Sequence, residues 1–402
     1  MKAILQQCAM TAAATLLLCS CGGDVSPNPS TSALSVAITD APACGYDHVY
    51  VTIKRVRVHE SAAATESGSG WQEITPALPI KVDLLSLSNG IVLTLGKMPL
   101  TAGVYHQLRL VLAENTPGNM VNAIVPAGGS MQPLDTMNTL HNGLTMINPI
   151  TINPQAHTEL VLDVDVCRSI VQRGDGSYGL RPVLSSTEMD SSGGITGYVG
   201  ADNAGAAVYA EINGAVIKGT VADRNGRFVL APIAQNAAGE NYDVVLAQEN
   251  FSTAIITGVV VNAGKETALS TAANPIVLPT GTMQTVGGAV TPVSALATLY
   301  AKQEINGRLY TTRLINANAD TGLWDMQLSN AAPQLATFGP LPLSFASNPA
   351  AAGHYTISTI PVVGTSQNSK TDISAGAGTN INVNFCAGVT GNLGMGALCP
   401  TL

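Results

Sequence analysis

The sequence predicts an all-β protein made of three consecutive β-sandwich domains behind a lipoprotein signal peptide and a flexible tether. Composition is the first indication: 402 residues include 40 Gly and 22 Pro, and only 11% are charged, a balance typical of sandwiches with many turns. The second indication is the alternation of apolar and polar residues in many short segments, the pattern of half-buried strands. Length is the third, because about 150 residues per domain predicts two or three domains.

Residues 1–20 have the pattern of a secretory signal, with one positive charge at Lys2 and an apolar run too short to span a bilayer in the mature protein. The run ends in LCSCG, which resembles a bacterial lipobox, where the chain is cut before Cys21 and the thiol receives a diacylglyceryl group. Acyl chains such as palmitate would then anchor residues 21–33, the lipidated cysteine and its tether, to the membrane. Gly22 stands where an aspartate would resemble an inner-membrane retention signal, so we expect the outer membrane of the cell envelope. An ordinary signal peptide cleaved elsewhere is the alternative.

Charge and motifs exclude several classes of function. The formal net charge of −8 argues against a nucleic-acid partner, since phosphate binding requires clustered Lys and Arg. No G-x-S-x-G, H-E-x-x-H, C-x-x-C or Walker sequence is present. We therefore expect a protein that is not an enzyme, although a catalytic triad assembled from distant loops would leave no motif.

The first domain is predicted to span residues 34–190 and to begin with two strands joined by the segment Asp40–Asp47. Pro42 cannot donate to a ladder and Gly45 permits positive φ, so this segment should turn at the sheet edge. The apolar phase shifts near Lys54-Arg55, which predicts a β-bulge.

Local patterns predict two further features of this domain. Asn89-Gly90 between two apolar runs indicates a hairpin. Residues 159–171 form an alternating segment that we interpret as one long strand, with Asp163, Asp165 and Cys167 on a shared face.

Four cysteines remain once Cys8 and Cys19 leave with the signal and Cys21 is lipidated. An even number in an oxidising compartment predicts two disulfides, and chain order suggests Cys44 with Cys167 and Cys386 with Cys399. A metal site built from these four cysteines is the alternative, but it lacks a close-spaced pair. The second bridge would close the tail, residues 387–402.

The first pairing would bring Asp163 and Asp165 close to Asp40 and Asp47, which together could supply hard oxygen ligands to calcium. Turn aspartates that only accept hydrogen bonds from nearby amides are the alternative, in which case no cofactor is bound. A second constellation, Met131, Met137, His141 and Met146, offers soft ligands suited to Cu(I).

Five ordered segments of the first domain carry a resemblance to a known family: ITDAPACGYDHVYVTIKRVRVH, VDLLSLSNG, AGVYHQLRLVL, ELVLDVDVCRSIV and GSYGLRPVL. In that order they resemble the bacterial family catalogued as domain of unknown function 4382, over roughly residues 34–184. The resemblance implies a secreted or lipid-anchored β-sandwich domain without assigned catalytic residues.

The remainder shows an internal repeat. Residues 193–274 contain a D-x-x-G-x-F turn followed by a Y-x-V strand, and resemble the carboxypeptidase regulatory-like, transthyretin-like sandwich. The same order of segments recurs in residues 278–386, offset by 91 to 96 residues until an insertion delays the last strand. We interpret the third domain as a diverged copy of the second.

These observations predict a membrane-anchored lipoprotein of the bacterial cell envelope that acts as a non-catalytic binding or structural module with an unknown protein or glycan ligand. The alternatives are a carbohydrate- or peptide-binding accessory protein, or a hydrolase whose site assembles from first-domain loops. The low aromatic content of 4% disfavours a broad sugar-stacking surface.

Overall fold

The computed structural model describes residues 32–40, 45–136, 144–237 and 240–386. These residues form an all-β structure of three units, each built on two main sheets, which confirms the predicted fold class. The first unit comprises residues 32–191, the second 192–278 and the third 283–386.

The first unit combines two main sheets with one short helix. Its strands are β1 (Ala33–Asp40), β2 (Tyr46–His59), β3 (Gln72–Ile74), β4 (Ile80–Asp83), β5 (Leu93–Pro99), β6 (Gly103–Tyr105), β7 (Gln107–Leu112), β8 (Ala123–Pro126), β9 (Gln132–Asp135), β10 (Leu144–Met146), β11 (Ile150–Ile152), β12 (His157–Val164), β13 (Ile170–Gln172), β14 (Tyr178–Leu180) and β15 (Leu184–Glu188), and its helix is α1 (Val166–Ser169). The smaller sheet has the order β15-β12-β1-β5, with β1 and β12 parallel. The larger follows β10-β7-β2-β8-β9-β14-β13, with β3 and β4 also paired to β2.

Strand β2 confirms the predicted bulge. Its pairing with β7 shifts register between Ile53 and Arg55, because the apolar residues change phase there and only an extra residue keeps both halves facing the core.

The hairpin predicted at Asn89-Gly90 was wrong. Both residues have positive φ, at 60° and 77°, as a tight turn requires, but β4 pairs with β2 while β5 pairs with β1. The 3-10 turn Leu84–Leu87 intervenes and carries the chain from one sheet to the other.

The single long strand predicted for residues 159–171 was also wrong. Asp165 ends it, because its carboxylate accepts a hydrogen bond from the Arg168 amide at 2.9 Å and so caps the short helix α1. Cys167 consequently lies on α1 instead of sharing a strand face with Asp163.

The second and third units repeat one topology. The second contains β16 (Ser192–Tyr198), β17 (Ala207–Ile212), β18 (Ala215–Val221), β19 (Arg227–Ala234), β20 (Tyr242–Ala247), β21 (Ala254–Val259) and β22 (Glu266–Ala268). The third contains β23 (Met283–Thr291), β24 (Thr298–Ile305), β25 (Arg308–Asn316), β26 (Leu323–Ser329), β27 (Gln334–Thr337), β28 (Ala346–Ser347), β29 (His354–Ile360), β30 (Gln367–Asp372), β31 (Thr379–Asn380) and β32 (Val383–Asn384). Sheets β19-β16-β22 and β18-β17-β20-β21 of the second unit correspond to β26-β23-β31 and β25-β24-β29-β30 of the third.

The insertion in the third unit completes the sheet of the second. Strand β27 pairs in parallel with β21, and β28 then pairs with β27, so the sheet grows to β18-β17-β20-β21-β27-β28. Ala336 is buried in the second unit's core, and Phe338 and Phe345 pack against it. The two units are therefore joined through backbone hydrogen bonds as well as side chains.

Candidate functional site

Three of the four aspartates of the predicted calcium site have separate partners among the described residues. Asp163 forms an ion pair with Lys218, and both side chains are buried. Asp165 caps α1 and holds Arg168 Nε at 2.6 Å. Asp47 accepts a hydrogen bond from the Gly128 amide at 3.0 Å, while the side chain of Asp40 lies outside the described residues.

Counter-ions therefore neutralise two of these four aspartates, Asp163 through Lys218 and Asp165 through Arg168. Among the residues that the structure describes, no three His, Cys, Asp or Glu side chains lie close enough together to hold a metal. Calcium binding by the four aspartates stays a prediction, because the side chain of Asp40 lies outside the described residues. In the copper constellation, Met137 and His141 lie outside the described residues, and Met146 is buried.

The predicted covalent sites are only partly described. Cys167 and Cys386 are disulfide-bonded. Cys21, Cys44 and Cys399 lie outside the described residues, so the lipidation site and both pairings stay predictions.

The Asp163–Lys218 pair belongs to the junction between the first and second units. Lys218 lies on β18 and is 6% exposed, and Asp163 lies on β12 and is 8% exposed. Asn89 joins the same two units, because its Nδ2 donates to Val221 O at 2.8 Å and its Oδ1 accepts from the Val229 amide at 2.9 Å. The predicted hairpin residue is thus an inter-unit connector.

The first and third units meet at the end of α1. Asn316 on β25 donates from Nδ2 to the carbonyl oxygens of Cys167 and Ile170, at 2.9 and 2.8 Å. Arg181 donates to Leu296 O and, at 3.1 Å, to Thr298 Oγ1. The Asn316 bond to Cys167 O satisfies a carbonyl of α1 that has no partner within so short a helix.

The second and third units share a buried acidic group. Glu211 on β17 is fully buried, and its Oε2 accepts a hydrogen bond from the Thr311 amide at 3.1 Å. Burial raises the pKa of Glu211 to about 8 and lowers the pKa of the neighbouring Lys302. Beside them Arg308 pairs with buried Asp243 at 2.7 Å.

These junction residues are not predicted from the sequence, although a signal is present. Lys218 and Glu211 each interrupt an apolar strand segment, and an isolated charge in such a segment usually requires a partner when it is buried. The pattern does not say where the partner lies, because all of these contacts link residues distant in the chain.

A cleft lies where the three units converge. Cys167, Tyr209 and Leu314, one from each unit, form a buried apolar cluster. Next to it the cleft encloses about 390 Å³. Its lining combines the aromatic residues Tyr209, Phe251 and Tyr355 with polar groups that include Gln327 and Ser329. Arg313 and Glu249, also in the lining, form an ion pair at 2.8 Å. Such a cleft, part aromatic and part polar, is a candidate binding site.

Within the described part of the chain, no helix has the length and apolar character needed to cross a membrane.

Among the solved structures that match this chain, three have low TM-scores and illustrate distant matches. A Coh3ScaB-XDoc_M1ScaA complex, a type II cohesin-X-dockerin complex from Acetivibrio cellulolyticus, contains a chain that is 32% identical over 22% of this chain and 58% of that chain, with a TM-score of 0.18. A streptococcal ancillary pilin is 10% identical over 88% of this chain and 98% of that one, with a TM-score of 0.16. A leucine-rich repeat protein from Bacteroides thetaiotaomicron VPI-5482 is 10% identical over 62% of this chain and 26% of that one, with a TM-score of 0.17.

No curated protein matches the chain. The first unit, however, is similar to a known family: residues 31–182 match the family described as Domain of unknown function (DUF4382).

Proposed function

We propose that the protein is a lipid-anchored, non-catalytic module of the bacterial cell envelope whose three units act as one rigid body. In this proposal Cys21 carries the acyl chains, and residues 22–33 are the tether between the membrane and the first unit. The rigid body holds the three-unit cleft at a fixed orientation for an envelope ligand.

The junction between the second and third units carries the proposal. A flexible string of domains has exposed linkers and few contacts between its parts. Here β27 of the third unit is a strand of the second unit's sheet, and the Asp163–Lys218 pair is buried between the first and second units. Rearranging the units would break sheet hydrogen bonds and expose an ion pair, so we expect a single orientation.

The alternatives make different use of the same surfaces. A carbohydrate- or peptide-binding accessory protein would use the cleft, since its tyrosines and amides suit small polar ligands. A hydrolase would need a nucleophile and a base in contact within the loops of the first unit. We favour the binding module. In this proposal the second and third units are transthyretin-like sandwiches related by duplication, which their corresponding strand orders support.

Rigidity is tested with spin labels on the first and third units. Lys97 and Lys370 are exposed, so Lys97→Cys together with Lys370→Cys should leave the fold intact. Pulsed EPR on this variant should give one narrow distance distribution. A control pair within the third unit, Glu304→Cys with Asp325→Cys, sets the width expected for a single unit. A distribution much broader than that of the control would contradict the rigid body.

Anchoring is tested at Cys21. Cys21→Ser should give a precursor that neither incorporates labelled palmitate nor partitions into detergent, while Cys8→Ser should behave as wild type. Normal partitioning of Cys21→Ser would refute the lipid anchor.

The disulfide proposal has its own experiment. Peptide mapping without reduction should link Cys44 to Cys167 and Cys386 to Cys399. Any other linkage would contradict it.

A further inference from the structure

The outer face of the first unit's larger sheet concentrates positive charge. Arg55 and Arg57 lie on β2 and Arg109 lies on β7, and the register places Arg57 directly opposite Arg109. Arg57 is 8% exposed and Arg109 is 5% exposed. Like charges directly opposite each other destabilise a sheet, and burial removes the water that would screen them. The pair therefore requires compensation by anionic or hydrogen-bonding groups.

Trp71 fixes the position of both guanidinium groups. The Arg57 and Arg109 Cζ atoms lie 4.6 and 4.8 Å from the centre of its ring, within the range of cation–π attraction. His59 contacts the same ring edge to face at 5.0 Å. Trp71 Nε1 donates to Thr65 O at 2.9 Å. One indole thus holds two arginines in a fixed arrangement.

The arginines are only partly satisfied by the chain itself. Arg57 lies 3.0 Å from a Glu73 carboxylate oxygen and donates to Glu66 O, also at 3.0 Å. Arg109 donates to Ala64 O at 2.6 Å. Its Nε and Nη1 are buried and have no hydrogen-bond partner among the described residues, and no described carboxylate lies within 4 Å of its guanidinium group.

The carboxylates near the cluster leave donors of Arg109 unsatisfied. Arg55 and Arg57 both lie within 4 Å of the Glu73 carboxylate, and Glu66 on the covering loop interacts electrostatically with Arg109 without forming an ion pair within that distance. Arg109 is the member of the cluster with two buried donors that have no hydrogen-bond partner among the described residues. Unpartnered buried donors on a charged group are costly, so their retention beside a fixed aromatic ring indicates a place for a further anionic acceptor.

We propose that Arg57, Arg109 and Trp71 form a binding site for the carboxylate of a small organic acid, covered by the loop of residues 60–70. A planar carboxylate matches the paired N–H groups of guanidinium. Enclosure beneath the loop restricts the ligand to a small molecule. The carbonyl oxygens of Ala64 and Glu66 occupy part of the arginines' hydrogen-bonding capacity when the site is empty, and the ligand's oxygens replace them. This site is separate from the three-unit cleft and goes beyond the proposed function.

The test uses the full mature protein in detergent, titrated calorimetrically with succinate and benzoate at constant ionic strength. Chloride, sulfate and inorganic phosphate serve as comparison anions. Saturable binding of at least one carboxylate is expected, with a change in Trp71 fluorescence that persists in Trp324→Phe. Arg109→Gln should weaken binding by about 10- to 100-fold, the loss expected for a hydrogen bond to a charged group. The matched control Arg224→Gln removes the same charge from an exposed position in the second unit and should leave the affinity unchanged.

A second variant distinguishes a ligand site from a purely structural cluster. Glu66 is exposed on the covering loop, so Glu66→Gln should fold normally and should tighten carboxylate binding several-fold by removing a competing negative charge. If the cluster were purely structural, Glu66→Gln would change the free energy of unfolding but not the affinity for carboxylates. The proposal is overturned if no carboxylate binds saturably, if only sulfate or phosphate binds, or if Arg109→Gln binds like wild type. The rigid-body proposal does not depend on this result, because it is tested by distances between units.

Discussion

At the scale of single residues, Glu211 gives the structure a defined pH dependence. Its pKa is about 8 in the folded protein because burial disfavours the charged form, and its ordinary value is 4.5. A folded-state pKa above the unfolded value means that the stabilisation is complete below about pH 4.5 and is lost as the pH rises towards 8. The free energy of unfolding therefore falls by at most about 1.4 kcal/mol per pH unit.

We therefore predict that Glu211→Gln flattens the decline in unfolding free energy between pH 5 and pH 8, because glutamine keeps an acceptor for the Thr311 amide but cannot ionise. Urea unfolding at several pH values measures this decline in the free energy of unfolding. Glu304→Gln, on the exposed surface of the third unit, is the control. A decline as steep in Glu211→Gln as in wild type would contradict the assignment.

The buried pair Asp163–Lys218 should show strong coupling. Asp163→Asn alone leaves Lys218 buried without a counter-ion, and we expect a loss of about 3–5 kcal/mol in the free energy of unfolding. Asp163→Asn combined with Lys218→Met should recover much of this loss. A double-mutant cycle by urea unfolding gives the coupling energy, and additive losses would show that the two residues act independently.

The chelator experiment separates this pairing from a calcium site. With Lys218 and Arg168 as counter-ions of Asp163 and Asp165, the melting temperature should be the same in calcium and in chelator. A rise of several degrees with calcium would support the metal interpretation.

At the scale of elements, the Asn89-Gly90 turn connects two units. Asn89→Gly retains the positive φ but removes the side-chain bonds to Val221 and Val229, so we predict a loss of about 1–3 kcal/mol. Asn306→Gly is the matched control, since it also has positive φ before a glycine, at 54°, but is exposed. Equal losses in the two variants would mean that turn conformation, and not docking, determines the effect.

This turn also shows how far sequence reasoning extends. The Asn-Gly pair correctly indicated positive φ, because that preference is local to two residues. Its interpretation as a hairpin was wrong, because β4 pairs with β2 and β5 pairs with β1 instead of with each other. The apolar faces of these distant strands decide the pairing, and they cannot be read from the turn. The bulge in β2 was predictable for the opposite reason: a phase shift in the apolar pattern is visible within one strand.

Asp163 and Asp165 show the same difference between local features, which the sequence reveals, and long-range contacts, which it does not. The position of Asp163 on a strand was predictable from the alternation, but the end of that strand at Asp165 was not. Lys218 as the partner of Asp163 was not, since it lies 55 residues away on another unit. The arginines opposite each other on β2 and β7 likewise required the register of the two strands.

At the scale of the whole molecule, the second and third units should unfold together. Replacing residues 331–348, which contain β27 and β28, by a short Gly-Ser linker should destabilise the second unit although none of its own residues change. Hydrogen exchange of the β21 amides measures the effect, and protection should fall there. An equivalent replacement of residues 362–366, an exposed stretch of the third unit, should leave β21 unaffected. Unchanged protection after removal of β27 would refute the dependence.

The addition of β27 to the sheet of the second unit has a consequence for biosynthesis. Strand β21 ends at Val259 and its neighbour begins about 75 residues later, at Gln334. At about 5–20 residues per second, a ribosome takes roughly 4–15 s to make the missing neighbour. During that interval a nascent second unit has an open β edge, the kind of surface that pairs with other chains. Each new molecule therefore exposes this edge from the synthesis of Val259 until that of Gln334.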